Sequence, residues 1–150
     1  MHPSPKATNP WYAALITTYL SGVAGAAVLT RRRGAVRPLS PGDIALLAAG
    51  TNKLARLATQ EKVTAPLRSP FTDAVEEPDG SVAEKPARQG ARRAVGELVT
   101  CPFCLSVWIA TALTTVLLLA PRPTRIVLGA LTAMAGSDLL QRVSGRLDAR

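Results

Sequence analysis

Apolar residues gather into four blocks along the chain, separated by short charged or proline-rich breaks. The first block runs from Trp11 to Thr30, twenty residues without a charge. That matches the ~20 residues a helix needs to cross the hydrocarbon of a bilayer, and its two opening aromatic rings suit the membrane interface. The second begins at Ser40-Pro41-Gly42-Asp43, which reads as a helix start with Ser at the N-cap, Pro at N1 and Asp at N3. It extends to about Gln60. Ile44, Leu47, Leu54 and Ala58 mark its apolar face, while Asn52, Lys53, Arg56, Thr59 and Gln60 recur at spacings of three and four elsewhere. A charge at mid-membrane costs ~2.5–3.5 kcal/mol, so this helix lies at the interface or turns its polar side to protein or water. The third block, Phe103 to Ala120, has eighteen residues, follows Pro102 in the first turn and stops at Pro121-Arg122-Pro123. Thr124 is placed to cap the fourth, whose apolar part runs from Ile126 to Leu140. The short break makes the last two helices an antiparallel hairpin.

The fold class this pattern predicts is all-α: an integral membrane helical bundle with three spanning helices (11–30, 102–120 and 125–141) and one amphipathic or partly inserted helix over 41–60. Residues 1–10 are expected to be disordered and 142–150 to form a basic tail. The 61–100 loop is expected to carry a flexible, solvated linker over 72–92, where charges mix with Gly and Pro. Arg93 to Thr100 is expected to form a short surface helix.

Composition agrees with a membrane setting. Hydrophobic residues make up 47% but aromatic ones only 4%, and small residues replace the large rings of a water-soluble core. Ser21, Gly22, Gly25 and Ala26 form overlapping small-xxx-small pairs that let another helix approach closely; ordinary small-residue content of an alanine-rich sequence is the other reading. A signal peptide is the rival reading of this first block; Arg31-Arg32-Arg33 directly after it favours an anchor. The net charge of +8 comes from cations flanking apolar blocks, which is a topology signal. The aromatic interleaving or fold motif of a nucleic-acid binder is missing. High Ala and Arg usage suggests a bacterium and hence the bacterial cytoplasmic membrane.

Two topologies compete. If helix 41–60 does not cross, the N-terminus lies outside, and Arg31–Arg33, the 61–100 loop and the C-terminus are cytoplasmic. The positive-inside rule favours this arrangement. If helix 41–60 crosses, the 61–100 loop and the C-terminal arginines lie outside. In both, Arg56, Gln60, Cys101, Cys104, Asp138 and Arg142 share one face of the membrane, where any site is expected.

Three constellations there could carry chemistry. Cys101 and Cys104 bracket Pro102-Phe103 at a helix N-terminus, whose N–H groups and dipole favour a thiolate. Cys101 would be the nucleophile and Cys104 the resolving thiol of a redox protein. No thioredoxin-like βαβ pattern surrounds them, however, and a cytoplasmic pair would face a reducing compartment. A structural zinc site needs about four ligands; one chain offers two thiolates with Asp138 as a third, and a dimer would offer four thiolates. Simple packing at a helix start is the third reading of the pair. Asn52, Lys53, Arg56 and Arg68 form the second constellation, able to hold an anionic headgroup or a partner, or simply to form a solvated cationic face. Asp138 is the third, with Arg142 at i+4 as its local pairing partner and Arg56 or Arg68 as tertiary alternatives. No nucleotide-binding loop, hydrolase elbow or zinc-protease motif occurs. His2, the single histidine, sits in the proline-rich start.

Two ordered segments also resemble a known family. Thr51-Asn52-Lys53-Leu54-Ala55-Arg56-Leu57, followed by Glu61-Lys62-Val63-Thr64-Ala65-Pro66-Leu67-Arg68, is similar to one half of its pattern. Gly96-Glu97-Leu98-Val99-Thr100-Cys101-Pro102-Phe103-Cys104-Leu105-Ser106-Val107-Trp108 is similar to the other half. Together they resemble the bacterial membrane family called domain of unknown function 1360, over about residues 43–141. Lys53 stands where many relatives have Arg. The resemblance implies membrane insertion and a face built from the two motifs, and no reaction. The expected role is a non-enzymatic interaction or accessory protein of the lipid bilayer, without a predicted cofactor. Its partners would be a second copy or another membrane protein. The alternatives are a thiol–disulfide protein or a shared cysteine metal site.

Overall fold

The computed structural model describes residues 10–76, 82–87 and 89–148. Its helices are α1 (Pro10–Arg32), α2 (Pro41–Gln60), the short α3 (Ala65–Arg68), α4 (Gly90–Thr100), α5 (Pro102–Leu119) and α6 (Pro121–Asp148). One antiparallel hairpin, β1 (Thr72–Glu76) and β2 (Val82–Pro86), interrupts them. Residues 1–9, where a disordered start was expected, lie outside the described residues.

Three helices are long and apolar enough to cross a membrane: α1, α5 and the Pro121–Arg146 part of α6. Large apolar side chains such as Ile16, Leu20, Val116, Ile126 and Val127 point outward from them. Water would oppose that exposure and lipid does not. The protein is an all-α membrane bundle.

The fourth long helix, α2, is wedged between α5 and α6. Its Leu47 packs with Leu117 of α5 and Leu128 of α6, and the two partners are fully buried. Gly50 allows the close approach: a Cβ there would stand 2.6 Å from Leu128 Cδ2. The start of α2 is fixed by a reciprocal capping box, in which the Asp43 N–H donates to Ser40 Oγ (3.1 Å) and the Ser40 N–H donates to Asp43 Oδ2 (3.3 Å).

Long-range pairs set the direction of each helix. Arg125 grips Asp43 with Nε at 2.8 Å from Oδ1 and NH2 at 3.0 Å from Oδ2. Further along, Lys53 Nζ lies 2.6 Å from Asp138 Oδ2. Hence α2 runs parallel to α6 and antiparallel to α5. Its twenty residues measure about 30 Å, the thickness of the hydrocarbon itself. The helix packs Leu47 against α5 and α6 and turns Asn52, Arg56 and Gln60 toward a groove. Tyr12 donates to Glu97, and Tyr19 meets Thr111 (2.9 Å) and the edge of Trp108 (centroids 5.2 Å). So α1 runs parallel to α5.

These directions place the Pro10 end of α1, the 61–100 segment and the C-terminal half of α6 at one end of the bundle. Arg31–Arg33, Asp43 and the α5–α6 corner lie at the other. The arrangement in which helix 41–60 stays on one side would instead separate the start of α1 from the end of α6. The physical reason for the difference is α2, which carries the chain back along the full height of α5 and α6.

Two segments differ from the sequence pattern. Helix α6 starts at Pro121 and continues to Asp148, so only Ala120 breaks α5 from α6 and residues 142–148 are helical. Prolines fit a first turn because their missing N–H groups have no intrahelical acceptor there. The 72–92 stretch also contains the β1–β2 hairpin, paired from Thr72↔Pro86 to Glu76↔Val82. Docking orders it. The Ala87 N–H donates to Phe71 O (3.1 Å), and Glu84 of β2 pairs with Arg68 (2.9 Å). Gly96 of α4 lies directly on the Phe71 carbonyl and Pro86. Residues 77–81 and 88 of that stretch are outside the described residues.

Candidate functional site

The polar residues of α2 emerge over its last three turns. Asn52, Arg56 and Gln60 are exposed and recur every four residues, so they form one stripe. Lys53 sits beside this stripe and turns toward α6. Its side chain is only 11% exposed and its ammonium is committed to Asp138. The local pairing of Asp138 with Arg142 is therefore replaced by a tertiary one. Helix α6 lies in register with α2 and brings the carboxylate to Lys53, while Arg142 and Arg56 act on it at longer range.

A polar cleft of about 370 Å³ opens here between the ends of α2 and α6. Lys53, Arg56, Glu61, Asp138, Gln141 and Arg142 line it. Three cations thus face two carboxylates, leaving an excess of positive charge. Among the described residues Arg56 makes no hydrogen bond or ion pair. Four of the expected residues, Lys53, Arg56, Asp138 and Arg142, therefore meet in this cleft, and Asn52 borders it on the side toward Leu139.

Arg68 does not join them. Its side chain is 7% exposed, and its donors are used locally. NH1 binds Ala58 O (2.8 Å), Glu61 O (3.2 Å) and Thr64 Oγ1 (2.6 Å), while Nε binds Glu84. Thr64 Oγ1 in turn donates to Leu57 O (2.7 Å). Helix ends leave their last carbonyls without partners. The Thr64-Ala65-Pro66-Leu67-Arg68 turn folds back to supply those partners at the end of α2. Arg68 is a structural pin at the end of α2 and lies apart from the cleft.

Cys101 is the N-cap of α5, with its Sγ accepting the Cys104 N–H at 3.2 Å. Both thiols are free; Cys101 is half-buried and Cys104 exposed. Hydrogen bonding from the Cys104 thiol, and then from the backbone N–H groups of the first turn, lowers the pKa of Cys101 below that of an ordinary thiol. Neither cysteine lines the cleft. No cluster of three metal-ligating side chains forms among the described residues, and Asp138 is held by Lys53. Close by, α4 presents Glu97, whose carboxyl is held below the usual range by the Tyr12 hydroxyl and Arg93.

A second groove, of about 690 Å³, lies on the other flank of α2, against the first turns of α5. Asn52, Arg56 and Gln60 border its polar part, and Ile44, Leu47 and Ala48 its apolar part. Nothing in the sequence pattern announced this groove or the Asp43–Arg125 clamp. Both arise from helix register between residues far apart in the chain.

No curated protein and no solved structure matches this chain. A family model does match, over residues 46–144, which takes in α2 from Leu46, the 61–100 segment, α5 and nearly all of α6. The matched span contains every residue of the cleft and both cysteines. On that match the chain belongs to the family described as Protein of unknown function (DUF1360).

Proposed function

We propose that this protein is a non-enzymatic interaction or accessory protein of the bacterial cytoplasmic membrane, and that the cleft between α2 and α6 is its partner-binding face. The observation that carries this reading is Arg56. It is an exposed cation without an ion-pair partner among the described residues, beside the paired Lys53 and Asp138. An ionisable residue on a membrane helix is costly unless it is paired, reaches the interface or is used. Lys53 and Arg125 are neutralised within the chain, whereas Arg56 and Arg142 are left to an outside anion. The partner we propose is another membrane protein, or a second copy, offering carboxylates at the level of the cleft. Most of the described Lys and Arg residues lie at the Cys101 end, and the positive-inside rule puts that end in the cytoplasm. In this reading α2 crosses, so both the start of α1 and the end of α6 face the cytoplasm and Arg31–Arg33 face outward.

In-cell photo-crosslinking tests this function. A photoreactive residue at Gln141, which lines the cleft, is expected to give a discrete adduct; one at Val127, on the outer face of α6, is not. Arg142→Glu should abolish the adduct. Absence of any adduct at Gln141 would remove the partner-binding reading.

A second reading rests on the Cys101–Cys104 contact: a thiol–disulfide protein with Cys101 as nucleophile, or a zinc site sharing four thiolates between two copies. Replacing both cysteines by serine would abolish either activity and leave the Gln141 adduct intact.

A further inference from the structure

The groove between α2 and α5 plays no part in that reading, although Arg56 borders it too. Its chemistry changes with depth. Toward the Cys101 end it presents Asn52, Arg56 and Gln60; toward the Asp43 end of α2 it becomes apolar, with Ile44 and Ala48, while Ala110 of α5 lines it about level with Asn52. Arg56 and Ile44 are twelve residues apart, or about 18 Å along the helix. One leaflet of a bilayer has roughly 15 Å of hydrocarbon. The cation therefore sits at headgroup level when the apolar part lies among acyl chains, since Gln60 of α2 is level with Pro102, where α5 begins. Thr51 lines the same groove, and its buried hydroxyl has no hydrogen-bond partner among the described residues.

The geometry points to an anionic phospholipid as the occupant of this groove, its phosphate on Arg56 with Asn52 and Gln60 beside it, and one acyl chain along Ile44, Ala48 and Ala110. The length of the apolar part argues for a lipid over a soluble anion, which would leave that part empty. The guanidinium, without an ion-pair partner among the described residues, argues for an anionic over a zwitterionic lipid. A bound lipid also removes the cost of holding a lone cation at the membrane surface. This inference goes beyond the proposed partner face: the lipid and a partner would lie on opposite flanks of α2, with Arg56 between them and Arg142 facing the partner side alone.

The full-length protein, in mixed micelles of phosphatidylglycerol and phosphatidylcholine with identical chains, can be read by native mass spectrometry. Phosphatidylglycerol should be retained in preference by about fivefold, the effect of one interfacial cation. Arg56→Gln should erase the preference, and Ala48→Phe, which fills the apolar end, should reduce retention of both lipids. Inorganic phosphate or glycerol phosphate should not displace the bound lipid. Circular dichroism and thermal melting establish that both variants fold. Equal retention of the two lipids, or a preference surviving Arg56→Gln, overturns the proposal. Displacement by phosphate alone would show a simple anion site, and disulfide crosslinking of Ser106→Cys between two copies would show that a second chain fills the groove. Each of these outcomes also overturns it. The Gln141 adduct is read separately, so failure of the lipid proposal and failure of the partner reading remain distinct.

Discussion

Two arginines of the first family motif region have opposite fates. Arg68 is buried and spends its donors on the end of α2 and on Glu84. Arg56 is exposed and makes no hydrogen bond or ion pair among the described residues. Arg68→Gln should therefore destabilise the protein by roughly 2 kcal/mol, since buried carbonyls and a carboxylate lose their donor. Arg56→Gln should stay within about 0.5 kcal/mol. Thermal melting of the two variants in one detergent separates them, and equal losses would contradict the assignment. The sequence could not make this distinction: both are arginines near the end of one helix, and only the fold-back of Thr64–Arg68 buries one of them. The cysteine pair was more legible, because an N-cap is a local property. Hydrogen bonding to Cys101 favours its thiolate, so its alkylation should reach half-maximal rate at a lower pH than an ordinary thiol's. Cys104→Ala removes a donor and should move that midpoint up, while Cys104→Ser keeps a hydroxyl donor and should move it less. A midpoint indifferent to both changes would show that the contact does not tune the thiol.

Elements here are fixed by what they dock against as much as by their own pattern. The starts of α2 and α5 are written locally, in Ser40-Pro41-Gly42-Asp43 and in Cys101-Pro102. The hairpin is not, because its strands are short and charged and gain order from Arg68, Phe71 and α4. Gly96 is the point of contact. Any side chain there would meet the Phe71 carbonyl, which is backbone and cannot swing away, and Pro86 as well. Gly96→Ala should therefore lift α4 from the hairpin at a cost of about 1–3 kcal/mol. Limited proteolysis should then cut the 61–100 segment faster while α5 and α6 stay protected. An unchanged cleavage rate would show that the hairpin is ordered without this contact. Gly50 is gentler ground, since its neighbour Leu128 Cδ2 is the end of a side chain.

At the scale of the molecule, hydropathy finds α1, α5 and α6 and passes over α2, because Asn52, Lys53 and Arg56 dilute its apolar face. What places α2 within the bundle is a set of pairs with separations of 82 and 85 residues, Asp43–Arg125 and Lys53–Asp138. Composition cannot register such pairs; only the parallel alignment of α2 with α6 creates them. Their consequence is that the α1–α2 connection and the Cys101 end lie at opposite ends of the bundle, and the cleft, the thiols and the end of α6 share one side. Labelling with a membrane-impermeant maleimide tests this directly. Cys101 and Cys104 are probed in the native protein, and Val36→Cys, at an exposed position between α1 and α2, is probed in a background with both native cysteines replaced by serine. A crossing α2 with a cytoplasmic cleft requires Val36→Cys to label in intact cells and the native pair only after permeabilisation, without prior reduction. Labelling of both under the same condition would mean that α2 does not cross, and would contradict the bundle.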